Sequence, residues 1–235
     1  MKQRIGILGG MTAESTLAYY QQIVRSYQQR FGDHGYPEIV IYSVSFQQFE
    51  DWMESGEWDA IAWALAEGLR RLHAAGADFA VIATNTMHLL FDRLERDSPL
   101  PLLSIVDATA RAIRRAGART VGLLGTRFTM EKTFYADRLG AHGIKTVVPD
   151  AADRQDIHQV IMHELSRGIL CDSSRRRYLD IIDRLVAGGA EGVVLGCTEI
   201  PLLVRPEHTA VPLFDTTALH AEEALARAIG DAPAG

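Results

Sequence analysis

The sequence predicts an α/β protein of two pseudo-symmetric α/β domains, each with a mostly parallel sheet flanked by helices, and an active site in the inter-domain cleft. Three observations predict it. Short apolar runs alternate with longer amphipathic stretches, the pattern of parallel strands joined by crossover helices. Leu72–Thr86 (LHAAGADFAVIATNT) aligns without a gap on Leu185–Glu199 (LVAGGAEGVVLGCTE), 113 positions later. Ile5–Gly10 agrees with Val121–Thr126, and Pro101–Leu103 with Pro212–Phe214, so the repeat runs through most of each half.

Strands are expected near 4–9, 39–45, 79–84, 101–105, 120–125, 145–149, 192–196 and 211–215. Helices are expected near 13–31, 57–75, 86–96, 107–116, 129–141, 153–168, 173–188 and 217–229. The stretch 57–75 shows the reasoning: Ile61, Leu65, Leu69 and Leu72 recur at helical spacing, and Gly76 stops the helix before the next strand. Asp172 or Ser173 can cap the helix that ends at Gly188-Gly189. No low-complexity segment separates the halves. The repeat divides the chain into a first domain of 1–103 plus 212–235, to which the C-terminal strand and helix return, and a second of 104–211.

Composition narrows the function. A hydrophobic content of 47% with 23% charged residues is that of a globular protein, and a net charge of −6 with no Lys/Arg run argues against nucleic acid. Lys2, Lys132 and Lys145 are the only lysines, which leaves little choice for a Schiff base with pyridoxal phosphate. Cys171 and Cys197 are too few for a disulfide framework. With no signal-like start and no run long enough to span a bilayer, the expectation is a cytoplasmic protein with no membrane partner. His158 and His163 are five apart, a spacing that does not share a helix face for a metal, so no metal site is expected. Gly6-Ile7-Leu8-Gly9-Gly10 lacks the dinucleotide-fingerprint spacing, and the Phe46, Phe49, Trp52, Met53 cluster suits a lid or core packing.

The chemistry-bearing residues fall at strand ends. Ligands of parallel sheets bind beyond the carboxyl ends of the strands, where loops enter helix N-termini. Gly9-Gly10-Met11-Thr12, Thr84-Asn85-Thr86, Gly125-Thr126 and Cys197-Thr198-Glu199 all occupy such ends, so four polar loops are expected to line one cleft and hold a small carboxylate or phosphate. At a helix start the dipole lowers the pKa of a thiol, so Cys197 is the candidate thiolate, a buried structural cysteine being the plainer alternative. Cys171, in a helix-to-helix turn, is expected to be structural. Thr84 occupies the repeat position of Cys197, so a substrate held between the halves would meet a hydroxyl on one face and a sulfur on the other. His88, one turn further on, either polarises Thr84 or bonds to backbone and holds the loop.

Gly9-Gly10-Met11, Thr84-Asn85-Thr86-Met87-His88, Gly125–Glu131 (GTRFTME), Gly196–Ile200 (GCTEI) and Phe214–Glu222 (FDTTALHAE) together resemble the aspartate/glutamate/hydantoin racemase superfamily, over essentially the whole chain. Within it the chain looks closest to bacterial L-aspartate/glutamate-specific, broad-specificity amino-acid racemases. The resemblance implies racemisation with no cofactor, a small carboxylate or amino-acid substrate, and a homodimer. It implies Cys197 and Thr84 as the catalytic pair, with Thr84 where family members commonly have a second cysteine. It also implies Met11, Asn85, Thr86, Thr129, Thr198 and Glu199 at the substrate, with His88 and Thr126 in support. Met53 stands where close relatives have glutamine and Ser166 where cysteine-pair aspartate racemases have a substrate-binding lysine, so two polar contacts are missing. Two other readings stand beside it. One is a single-cysteine decarboxylase or cis-trans isomerase of the same superfamily, of the arylmalonate decarboxylase or maleate isomerase type; the other is a non-catalytic carboxylate-binding homologue.

Overall fold

The computed structural model describes residues 2–231. The chain forms two compact units: the described residues up to Ile105 with those from His220 onward, and Val106–Leu219.

In the first unit, β1 (Ile5–Gly9), β2 (Ile39–Ser43), β3 (Phe79–Ile82) and β4 (Leu102–Leu103) form a parallel sheet in the order β2-β1-β3-β4. Ile5 of β1 lies opposite Ile39 on one side and Phe79 on the other. β1 and β3 are buried along their whole length, which is why they read as unbroken apolar runs. On one face α3 (Trp58–Ala74) presents Ile61, Leu65, Leu69 and Leu72, all fully buried, to Leu8, Ala80 and Ile82. On the other, Tyr19, Ile23 and Tyr27 of α1 (Ala13–Phe31) pack with Ala221, Ala224, Leu225 and Ala228 over Ile5, Ile7, Phe79 and Val81. Burying each of these large side chains is worth about 1.5–3 kcal/mol.

The second unit repeats the plan. β5 (Thr120–Gly125), β6 (Lys145–Val147), β7 (Val193–Gly196) and β8 (Leu213–Asp215) are parallel in the order β6-β5-β7-β8. The helices α8 (Ala151–His163) and α9 (Asp172–Ala187) bury Ile157, Val160, Ile161, Tyr178, Ile181 and Ile182 against Leu124, Val193 and Leu195. The remaining helices are α2 (Phe46–Ser55), α4 (Phe91–Asp97), α5 (Ile105–Arg115), α6 (Arg127–Glu131), α7 (Phe134–Ala141), α10 (Ile200–Leu203) and α11 (Thr216–Ile229).

Several expectations change. The last strand does not return to the first half: β8 pairs with β7, Val194 lying opposite Phe214. Only the helix returns, and α11 starts in the second unit and buries its later turns in the first. The segment Phe46–Ser55 is a helix, α2, whose Phe49 is buried among Leu8, Met11 and Ile61 with Trp52 and Met53 packed alongside. It is core packing. The helix expected at 129–141 is two, α6 and α7, because Lys132 adopts an extended backbone (ψ 148°). The one expected at 86–96 opens with a 3-10 turn, Thr86–Leu90.

The turn after β1 depends on a glycine. Gly10 has φ +94°, and a Cβ there would lie 2.3 Å from the Val44 carbonyl oxygen. Gly10→Ala is therefore expected to cost about 2–4 kcal/mol, the left-handed penalty plus a backbone clash. A urea melt should show the midpoint fall with an unchanged slope.

Candidate active site

Each sheet changes direction of strand addition once, between β1 and β3 in the first unit and between β5 and β7 in the second. Loops at such switch points diverge and leave a crevice beyond the strands' carboxyl ends. The suspected residues occupy these four loops.

In the first unit the loop after β1 is held by its own helix. Thr12 caps α1, its hydroxyl accepting from the Ser15 amide at 3.3 Å. The Thr16 hydroxyl accepts from the Gly10 amide at 2.8 Å and donates to the Thr12 carbonyl at 3.0 Å. Ser15 donates to the Ala83 carbonyl at 2.5 Å, tying this loop to the residue before Thr84. Met11, Thr84, Asn85, Thr86 and His88 are all buried within this unit.

His88 settles one open question. The Ile105 amide donates to its Nε2 at 3.1 Å, so in the neutral ring Nδ1 carries the hydrogen and donates to the Thr84 carbonyl at 2.8 Å. The ring lies nearly parallel to Phe91, 5.1 Å between centroids, and edge-on to His220 at 6.0 Å. His220 Nε2 donates to the Leu103 carbonyl at 3.1 Å and its Nδ1 accepts from the Tyr19 hydroxyl at 2.8 Å. His88 thus fixes the backbone at Thr84, with both ring nitrogens engaged by main chain. His88→Ala is expected to cost about 2–4 kcal/mol, through a cavity and an orphaned amide. The shape of the pH-rate profile should stay unchanged; a proton relay would alter it.

The second unit mirrors these supports. Thr126 caps α6, accepting from the Thr129 amide at 3.4 Å, and the two hydroxyls lie 3.2 Å apart. Thr129 is fully buried and fills the space over Gly125 and Gly196, where a Cβ on Gly125 would come within 3.1 Å of it. Thr129 therefore backs the loop, as Ser15 does in the first unit. Thr216, also fully buried, donates to the Leu195 carbonyl at 2.9 Å. Ser15, Thr16 and Thr216 were missed from sequence. The Thr12-x-x-Ser15 capping spacing was the available signal for the first.

Cys197 follows β7 directly and belongs to its unit's core, 8% exposed. Its Sγ donates to Glu199 Oε2 at 2.9 Å, and Thr198 Oγ1 donates to the same oxygen at 2.7 Å. Contrary to the sequence expectation, the thiol pKa is not lowered. Burial first, then the Glu199 charge and its hydrogen bond, push the Cys197 pKa well up, while the Glu199 and Thr198 amides pull it down. The dipole argument fails because α10 has only four residues, too few aligned peptides to offset burial beside an anion. The resting group is a thiol.

The family model described as Asp/Glu/Hydantoin racemase matches residues 8–224. The chain belongs to the Asp/Glu/hydantoin racemase family. The broad specificity amino-acid racemase RacX of Bacillus subtilis is 23% identical over 227 residues, 94% of this chain and 96% of that protein. An Asp/Glu racemase candidate from Yersinia pestis has a crystal structure 42% identical, with a TM-score of 0.89, covering 97% of this chain and 99% of its own. An aspartate racemase homologue from Pyrococcus horikoshii OT3 is 36% identical, TM-score 0.86, over 97% and 100% of the two chains.

Half-buried Met53 packs against the first unit's core, and the Ser166 hydroxyl donates to the Met162 carbonyl at 2.8 Å, one turn back. Cys171 is a free, half-buried residue at the start of α9. His158 accepts from the Arg127 amide at 3.4 Å; burial foremost, then the Arg127 and His163 charges, lower its pKa against a smaller opposing effect of Glu131. Among the described residues no cluster of His, Cys, Asp or Glu is placed to hold a metal, and no helix is long and apolar enough to cross a membrane.

Proposed function

We propose that the chain is a pyridoxal-phosphate-independent amino-acid racemase of aspartate/glutamate type with broader tolerance. Cys197 removes the α-proton of the L-amino acid and Thr84 serves the opposite face. Family membership supports the reaction class. The observation that carries the assignment is Cys197 placed at the switch-point end of β7, with its thiol hydrogen-bonded to a buried carboxylate. Asn85, Thr86, Thr198 and the Glu199 amide hold the α-carboxylate, stabilising the enediolate-like charge that develops as the proton leaves. Met11 borders the substrate in the first unit, and Thr126 caps the turn after β5 in the second.

The halves differ in what they offer a proton. A threonine hydroxyl that gives up its proton becomes an alkoxide, far costlier than a thiolate, and the neutral His88 is committed to main chain. Exchange of the α-proton from a D-amino acid is therefore slower than from its L-enantiomer, while kcat/KM for net racemisation is equal in the two directions, the equilibrium constant being one.

The resting thiol also suits chemistry that needs one proton donor, such as protonating the carbanion left by a decarboxylation. Proton NMR in heavy water, with a panel of L-amino acids and no added cofactor, separates the two. Loss of the α-proton signal is the expected result. Carbon dioxide release from an aryl malonate, or fumarate formed from maleate, with no α-exchange from any amino acid, would replace the racemase reading.

A further inference from the structure

We infer that Ser15 is a positioning residue for the reaction: its hydroxyl fixes the peptide plane between Ala83 and Thr84 and so aims the Thr84 side chain at the substrate. This deepens the racemase reading and rests on it.

The need arises where the ladder between β1 and β3 stops. The Ala83 amide donates to the Leu8 carbonyl at 2.9 Å. In a parallel pair the next rung would run from the Gly10 amide to the Ala83 carbonyl. Gly10, at φ +94°, turns the chain away, and its amide donates to the Thr16 hydroxyl at 2.8 Å instead. Ser15 supplies the rung from the first turn of α1, its hydroxyl donating to the Ala83 carbonyl at 2.5 Å. The Thr12 cap holds Ser15 in place, accepting from the Ser15 amide at 3.3 Å. Ser15 is 1% exposed and Ala83 fully buried, so bulk water does not reach either group.

That one bond governs one peptide. At its other end the Thr84 amide reaches the Ile82 carbonyl, two residues back, at 2.8 Å. A turn of three residues bends its hydrogen bond and holds the plane less firmly than a ladder rung. Beyond Thr84 the chain is anchored separately. His88 Nδ1 donates to the Thr84 carbonyl at 2.8 Å, and the His88 amide donates to the Asn85 carbonyl at 3.0 Å. Removing the Ser15 hydroxyl leaves a buried carbonyl without its donor, and the peptide turns to find another. The Cα–Cβ direction of Thr84 turns with it, while Asn85 and Thr86 keep their anchors. In the second unit Thr129 follows its cap at the same spacing, but its hydroxyl lies 3.2 Å from that of Thr126. The tie thus serves the half that carries the weaker acid.

The test follows α-proton exchange in heavy water from the two enantiomers of one amino acid, in the full chain. Ser15→Ala is expected to slow exchange from the D-enantiomer by about 10–100-fold, in kcat and not in KM, the scale of a misplaced reacting group. Exchange from the L-enantiomer begins at Cys197 and is expected to stay within about twofold, as for an independent group. Ser15→Thr, which keeps the donor, is expected to bring the ratio of the two rates back toward that of the parent. Equal slowing of both enantiomers, or of neither, overturns the inference, because loosened packing has no preference for one face. Should Ser15→Ala fail to fold, Ser15→Cys decides: its weak S–H donor is expected to shift the ratio in the same direction by a smaller factor, and an unchanged ratio overturns the inference. A parent protein that exchanges neither enantiomer overturns the racemase reading itself. A parent that exchanges both, with the ratio unmoved by Ser15→Ala, overturns only the role of Ser15.

Discussion

Replacing Cys197 with alanine is expected to lower α-proton exchange from L-amino acids by about 10³-fold or more, roughly 4 kcal/mol of transition-state stabilisation. The magnitude follows from the role: a positioned base contributes on this scale, and no other thiol lies in the switch-point loops. The substitution leaves the fold in place. It removes one sulfur from a core that retains Leu195, Ile200 and Leu203, and Glu199 still accepts from Thr198 at 2.7 Å. The expected stability loss is about 1 kcal/mol, so a urea melt run beside the exchange assay separates chemistry from folding. Cys197→Ser keeps a donor to Glu199 yet should lose comparable activity, since its oxygen is a far weaker acid than the thiol. Exchange by Cys197→Ala within tenfold of the parent would remove this residue from the mechanism.

Thr84→Cys is expected to raise α-proton exchange from D-amino acids by about 10–100-fold while leaving the L-direction unchanged. The substitution exchanges the hydroxyl for a thiol and drops one buried methyl group. The Thr84 amide stays bonded to the Ile82 carbonyl at 2.8 Å, and His88 still donates to its carbonyl at 2.8 Å. A sulfur in that place ionises where a hydroxyl does not. No rise in D-exchange for Thr84→Cys would mean that residue 84 does not serve the opposite face.

The strands were legible because parallel strands buried on both faces leave continuous apolar runs: Ile5–Gly9 and Val193–Gly196 are buried throughout. The ends of helices were harder. α10 is too short for any periodicity, and Pro201 in its first turn reads as a breaker. α2 carries Phe46, Phe49 and Trp52 at helical spacing, but over ten residues that spacing does not separate a helix from an apolar cluster in a loop. The last strand was placed in the wrong half although the repeat of Pro101–Leu103 in Pro212–Phe214 already implied a fourth strand for each sheet. At the site, sequence spacing located the four loops, because strand ends are where alternation of pattern stops. It could not weigh burial against a short helix, so the Cys197 pKa came out in the wrong direction. Nor could it show that Thr129 faces two glycines, or that His88 spends both nitrogens on main chain.

The first unit is built from the two ends of the chain, with the second unit wholly contained in the stretch that separates them. Ala221, Ala224, Leu225 and Ala228 close the layer over Ile5 and Ile7, and they are among the last described residues to leave the ribosome. Val106–Leu219 can finish folding while the N-terminal segment still waits for its closing helix. Without those helix turns the face of β1 that carries Ile5 and Ile7 would stay uncovered while the second unit has every segment it needs.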